Sequence, residues 1–174
     1  MAKVPFTKLK CKINEDSIPV QIGEETIAVK QYLPVQDKLI LIGDVIMQAH
    51  EQDENYSNPV KAEVYRDLEV VFAYTNISFT DKQKEDLSKL YDLLASSGVL
   101  KSVIEAIPED EYAKICMGVW QTIESIYKYQ NSVLGVLDTI RSDYSDTQFD
   151  LEQFKNMLES TDLSTVKDII SKLG

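Results

Sequence analysis

The stretch that decides the fold runs from Ile18 to Ala49 and reads IPVQIGEETIAVKQYLPVQDKLILIGDVIMQA. Up to Val29 its apolar residues alternate with polar ones, which is the period of a strand with one covered face. After Pro34 apolar residues recur every three or four positions, which is the period of an amphipathic helix. The predicted helical stripe consists of Val35, Leu39, Ile42, Ile46 and Ala49. The change of period at Pro34 therefore predicts a small β-element followed by a helical body.

The alternation also extends toward the N-terminus, over residues 6–13. One face would carry Leu9, Cys11 and Ile13, and the other Lys8, Lys10 and Lys12. We therefore expect an antiparallel sheet of two or three strands over residues 6–32, with turns at residues 14–16 and 23–25. Such a ribbon is marginal alone, so helices must cover its apolar face. The lysines, with Lys3, are interpreted as the solvent face of a strand.

Helix boundary signals recur beyond residue 50. Asn58-Pro59 combines an N-cap residue with proline at the first helical position. Thr80 and Gln83 have the spacing of a capping box, for a helix that carries apolar residues up to Leu94. Gly98 suits the position after that helix, and Pro108 would stop the next one.

The longest helix is predicted from near Pro108 to about Ile140. Its acids Glu109, Asp110 and Glu111 are interpreted as a solvated first turn that complements the helix dipole. An apolar seam follows a 4-3-4-3 rhythm through Tyr112, Cys116, Val119, Ile123, Ile126, Val133, Leu137 and Ile140. Gly118 and Gly135 weaken this helix or let another backbone approach closely. Two short helices are expected in residues 146–174.

The predicted fold class is thus α+β and mostly α. Residues 1–33 form an N-terminal β-element, and residues 34–174 form a helical body of about five to seven helices. The apolar content of 44% and charged content of 27% are ordinary for a folded chain.

The acidic balance restricts the classes of partner. A formal net charge of −11 repels nucleic acid phosphates, so no nucleic-acid partner is expected. No run of about 18 apolar residues and no signal-peptide core occur, so we expect a soluble protein made in the cytoplasm, with no membrane partner. Cys11 and Cys116 suggest buried thiols in a reducing compartment, and the sequence leaves open whether they are close.

A search for catalytic or ligand-binding motifs is negative. The six glycines form no phosphate-binding loop. The single histidine, His50, has no ligand or nucleophile motif around it and is interpreted as an exposed helix-end residue. The acids of residues 143–150 lack the central glycine and closing glutamate of a calcium loop. We therefore expect no catalytic residue, metal, cofactor or small-molecule substrate, and hence no enzyme.

Three aromatic residues of the long helix are the candidate protein-contact site. Trp120, Tyr127 and Tyr129 lie partly off the apolar seam. Aromatic residues at such positions either fill a core or form a contact surface, where Trp and Tyr are enriched. The sequence leaves both interpretations open.

Several segments carry a resemblance to a known family. They are residues 29–34 (VKQYLP), 74–86 (YTNISFTDKQKED), 89–94 (KLYDLL), 106–109 (AIPE) and 131–135 (NSVLG). In these segments the chain resembles small, mostly uncharacterised proteins of tailed bacteriophages of Gram-positive bacteria. The resemblance covers most of the chain but carries no functional residue.

This resemblance implies a role in the virion or in its assembly. The leading expectation is a structural component of the head, neck or tail that contacts other phage structural proteins, or itself in a ring. One alternative is a tail assembly chaperone that binds the tape-measure protein. Another is an acidic inhibitor of a host protein, whose charge would accelerate binding to a basic partner.

Overall fold

The computed structural model describes residues 3–51 and 56–136. The chain divides into two compact units, residues 1–127 and 128–174, and only residues 128–136 of the second are described. Several predictions therefore lie outside the described residues. They concern Leu137 and Ile140 of the long helix, the acids of residues 143–150 and the helices of residues 146–174.

A β-hairpin opens the regular structure, as the alternation predicts. Strand β1 (Ser17–Ile22) pairs antiparallel with β2 (Glu25–Lys30). Ile18 lies opposite Val29 and Val20 opposite Ile27, so the alternating apolar residues share one face. The turn has two residues, and Gly23 at its first position has a φ of +61°, a conformation that glycine adopts without steric cost.

The predicted strand over residues 6–13 is wrong. Phe6–Leu9 form a short 3₁₀-helix, and the segment pairs with no strand of the described chain. Residues 3–13, called the N-terminal arm below, are all exposed, so Cys11 is an exposed thiol and not a buried one. Cys116 is half-buried, and both thiols are free.

The outer edge of β1 offers a physical reason for this absence. The Ala28 N–H donates to Asn76 Oδ1, 2.9 Å away, and therefore points away from β1. Pro19 lies opposite Ala28, so its backbone faces the outer edge of the hairpin. A proline there supplies no N–H to a third strand. Period-2 alternation is therefore not sufficient for pairing at this edge.

The helices follow the hairpin in the order that the sequence predicts. Their bounds are α1 (Val35–Ala49), α2 (Pro59–Tyr74), α3 (Asp81–Lys84), α4 (Leu87–Ser96), α5 (Val99–Ala106) and α6 (Glu109–Gln130). Between α1 and α2, the short strands β3 (His50–Glu51) and β4 (Tyr56–Ser57) pair antiparallel. The mostly helical α+β class, with an N-terminal antiparallel β-element, is confirmed.

Local capping signals place most helix starts. The Asn58 side chain accepts hydrogen bonds from the N–H groups of Val60 and Lys61, with Pro59 in the first turn. Thr80 and Gln83 form the predicted capping box, but the helix that they begin is only four residues long. Asp86 then caps α4 by accepting from the Lys89 N–H, and so divides the single predicted helix in two.

The end of α6 differs from the prediction as well. The helix ends at Gln130, not near Ile140. Ser132 donates its N–H to the Tyr129 carbonyl, and its hydroxyl accepts from the Gly135 N–H, which caps a new helical turn at residues 133–136. A Cβ on Gly135 would overlap the Tyr129 backbone, so this glycine permits the close approach that the turn requires.

The core lies between the hairpin, α1, α2 and the helices that follow. Its fully buried members include Val29, Leu33, Val45, Tyr74 and Ile115. The predicted stripe of α1 is confirmed in part. Ala49 is buried and Ile42 and Ile46 pack against the core, whereas Val35 and Leu39 are exposed. Leu41 and Val45, outside the predicted stripe, are buried instead.

Candidate functional site

A buried carboxylate joins the start of α6 to three other segments. Glu111 lies in the first turn of α6, as predicted, but it is only 3% exposed, so the prediction that it is solvated is wrong. Its Oε1 accepts hydrogen bonds from the Leu33 N–H at 2.9 Å and from the Tyr74 hydroxyl at 3.0 Å. Lys38 Nζ lies 2.7 Å from Oε1 and 2.9 Å from Oε2. One side chain thus binds the β2–α1 connection, α1 and the end of α2.

The electrostatics of this cluster favour the ionised carboxylate. Burial opposes ionisation, but the hydrogen bonds from Lys38, Leu33 and Tyr74 hold the pKa of Glu111 below its usual range. Burial and the nearby Glu111 charge raise the pKa of Tyr74, so its hydroxyl stays a donor. The Lys38 ammonium also lies 4.3 Å from the centre of the Tyr32 ring, which adds a cation–π contact.

A second buried acid, Asp67 on α2, is bound by Tyr112, the residue that follows Glu111 on α6. The Tyr112 hydroxyl donates to Asp67 Oδ1 at 3.0 Å, and Arg66 donates to the same oxygen from Nε and Nη2 at 2.9 and 2.8 Å. Although burial opposes it, the Asp67 charge raises the pKa of Arg66. Burial, with Asp67 adding to it, raises the pKa of Tyr112. This cluster fastens α6 to α2.

Both clusters are closed structures and not open sites. Both oxygens of Glu111 and Oδ1 of Asp67 are engaged by donors of the chain itself, and both acids are buried, which leaves little room for a substrate. Among the described residues, no group of three or more potential metal ligands comes together. A shallow depression of about 420 Å³ between α3 and α4 is lined by Thr80, Lys82, Gln83, Asp86, Lys89, Leu90 and Leu93, away from either acid. The clusters position helices.

The feature that fits a function best is an exposed apolar face on α1. Val35, Leu39, Ile40 and Met47 are 63%, 59%, 53% and 72% exposed. At about 100° per residue they fall within roughly 140° of the helix circumference, and Gly43 lies between them. We call these five residues the α1 face. A Cβ on Gly43 would meet nothing within 4 Å, so the face is open at its centre.

This helix is apolar on two sides. Leu41, Val45 and Ala49 pack into the core on the side away from the α1 face. Asp37 and Asp44 lie beside Ile40 and Met47 and separate the two apolar sides along one edge. A helix that is apolar nearly all round is buried centrally or shared with a partner. Since one side is exposed, we interpret it as a contact surface.

The aromatic residues predicted as a contact site are exposed but do not form one patch. Trp120, Tyr127 and Tyr129 are 42%, 62% and 51% exposed. Trp120 and Tyr127 lie seven residues apart and share a face of α6, to within about 20°. Tyr129 is nine residues from Trp120, which corresponds to roughly 180° around the axis. Their exposure argues against the core interpretation, and the contact role stays a prediction.

Helices α1 and α6 meet at a glycine. A Cβ on Gly118 would lie 2.6 Å from Ile42 Cδ1, closer than carbon atoms pack. Glycine therefore allows Ile42 to seat against the backbone of α6. Ile42 lies beside the α1 face, so this contact fixes how that face is presented.

Other candidate residues remain without a chemical role. His50 ends α1, where its N–H donates to the Ile46 carbonyl, and it is half-buried and not exposed.

Over residues 3–51 and 56–136, no helix combines the length and the apolar character needed to cross a bilayer. Comparisons with known protein families, with curated proteins and with solved structures found no match.

Proposed function

We propose that this protein is a non-enzymatic structural component of a tailed-phage virion, in the head, neck or tail, and that it acts through protein–protein contacts. The single observation that supports this proposal is the exposed α1 face on a helix whose other side is already packed. Exposed apolar patches of this kind are typical of protein interaction sites. The resemblance to phage proteins supplies the biological setting.

The partners that fit are proteins, either other structural proteins of the phage or further copies of this chain. An exposed apolar face with acidic residues at one edge suits a protein surface better than the phosphate backbone of DNA, which the net charge of −11 repels. The exposed side chains of Trp120 and Tyr127 supply a second contact surface, where they would act as aromatic anchors to a partner.

The proposal is tested by mass spectrometry of purified particles of the phage that encodes this chain. The amount of the chain is compared with that of the major capsid protein. We expect a fixed copy number per particle, in a multiple of three, five, six or twelve. Absence from particles together with abundance in infected cells would overturn the proposal, in favour of a tail assembly chaperone or a host-directed inhibitor.

A second experiment asks whether the contacts run through the exposed side chains. Replacing Trp120 and Tyr127 with Ser should leave the circular dichroism spectrum unchanged, because both side chains are largely outside the core. Loss of incorporation into particles would support a contact role for α6. The matched control is Leu93→Ser, an exposed apolar residue on α4. Unchanged incorporation of the double variant would exclude these aromatics as contacts.

A further inference from the structure

The N-terminal arm has the composition of a binding segment. Val4, Phe6, Leu9 and Ile13 are 66%, 71%, 58% and 67% exposed. Between Lys3 and Ile13 the arm contains four lysines and no acidic residue, in a chain of net charge −11. The 3₁₀-helix aligns Phe6 with Leu9, because side chains three residues apart eclipse in this conformation. The arm thus presents paired apolar side chains beside positive charges.

The α1 face offers the complementary surface. It is apolar through Leu39, Ile40 and Met47, and its edge carries the carboxylates of Asp37 and Asp44. A further acid, Glu69 on α2, lies near this edge, where it accepts a hydrogen bond from Gln48 of α1 and interacts electrostatically with Asp44. A basic and apolar segment would therefore gain from both parts of the surface.

We propose that the N-terminal arm of one copy docks on the α1 face of a second copy. This inference rests on the proposed structural role, and it names the partner as the chain itself. Within one chain the contact is not made, since the apolar residues of the arm and of the face are all exposed together. Arm and face match in apolar character and are opposite in charge.

The two surfaces are different, so each copy carries one N-terminal arm that docks and one α1 face that receives the arm of another copy. Such a heterologous contact can close a ring if its rotation permits, or be made twice in a reciprocal dimer. The contact therefore predicts a specific behaviour of mixtures. A copy that lacks only the arm and a copy that lacks only the face should bind each other once.

The test measures the mass of the full-length chain by sedimentation velocity and light scattering over a range of concentrations. The arm variant is Phe6→Asp with Leu9→Asp, and the face variant is Leu39→Lys with Met47→Lys. The matched controls are Val60→Asp, 68% exposed, and Leu93→Lys, 57% exposed. Every substituted side chain is exposed, so circular dichroism spectra should match that of the wild type.

We expect the wild-type chain and both controls to form species larger than the 19.8 kDa monomer. Each variant alone should be a monomer, and their equimolar mixture should form heterodimers and nothing larger. A monomeric wild type, or a mixture that stays monomeric, would overturn the proposal. An arm variant that associates like the wild type would do the same, and would point to pairing of α1 faces with each other.

Salt dependence supplies a readout that needs no variant. Oppositely charged surfaces are screened strongly near 0.5 M salt, so the wild-type species should dissociate toward 19.8 kDa as salt rises. Association that strengthens with salt would contradict the charged docking described here. None of these outcomes depends on whether the chain is found in virions, so the two proposals can fail separately.

Discussion

Replacing Glu111 with Ala is the most direct test of how the helical body is held together. The substitution removes the acceptor of three hydrogen bonds and leaves the Lys38 ammonium, only 14% exposed, without its counter-charge. Breaking a buried ion pair by removing one partner costs about 3–5 kcal/mol. The Leu33 N–H and the Tyr74 hydroxyl also lose their acceptor, so we place the loss of unfolding free energy at the upper part of that range.

The loss is measured by urea unfolding at pH 7, followed by circular dichroism and by the fluorescence of the single tryptophan, Trp120. The matched control is Glu109→Ala, which removes an exposed acid from the same helical turn. That control should cost about 0.3–1 kcal/mol, through the helix dipole alone. Lys38→Met added to Glu111→Ala should recover part of the stability, because it removes the unpaired buried charge.

The reasoning would be refuted if Glu111→Ala cost no more than Glu109→Ala. Residues in one ion pair are expected to be coupled, so their substitutions should not have additive effects. The reasoning would therefore also be refuted if the double variant lost the sum of the unfolding free energies lost by Glu111→Ala and by Lys38→Met alone.

Three further predictions concern pH and packing. The pKa of Glu111 is lower in the folded chain than in the unfolded one, so its ionised form stabilises the fold fully above the unfolded value of about 4.3, and this stabilisation is lost as pH falls through the folded value. Below about pH 5, the unfolding free energy of Glu111→Gln should therefore fall less steeply than that of the wild type. Parallel curves for the two proteins would contradict this prediction. Glu69→Gln should stabilise the chain at pH 7, because the pKa of Glu69 is raised in the folded state by burial and by Asp44, and the gain should shrink in acid, whereas destabilisation at pH 7 would show that the charge is favourable. Gly43→Ala should raise the unfolding free energy by about 1 kcal/mol through helix propensity alone, because its Cβ meets no neighbour. Gly118→Ala should instead lower the unfolding free energy by about 1 kcal/mol, because its Cβ must displace Ile42. Equal effects of the two substitutions in thermal unfolding would exclude the close contact at Gly118.

The parts of the fold that follow from local chemistry were predictable from sequence. Asn58-Pro59 and Gly98 act through the backbone of their own neighbours, so a pattern of a few residues is sufficient to place them. The hairpin is similar, because Gly23 and the alternation on both sides of it specify one register.

The parts of the fold that depend on contacts between residues far apart in sequence were not predictable from local patterns. Glu111 stands in the same turn as Glu109 and Asp110, and no local signal distinguishes the one acid that meets Lys38, 73 residues earlier. The arm alternates as a strand does, but strand formation requires an edge that accepts it. Both buried acids were missed for this reason.

Helix α1 shows a third kind of limit. Its run Leu39-Ile40-Leu41-Ile42 places apolar residues nearly all round the helix, so periodicity alone does not decide which side enters the core. The structure buries Leu41 and exposes Leu39. The ambiguity that makes the stripe prediction wrong at Val35 and Leu39 is the same property that leaves an apolar face exposed.

The proline at the outer edge of the hairpin has a consequence for the chain at high concentration. Unprotected sheet edges recruit further strands and seed fibres, and crowding raises that risk. Pro19 removes a donor from the middle of the six-residue strand β1, and so interrupts the ladder that an incoming strand would need. The addition of further strands is thereby disfavoured at this edge, which keeps the hairpin a two-stranded unit.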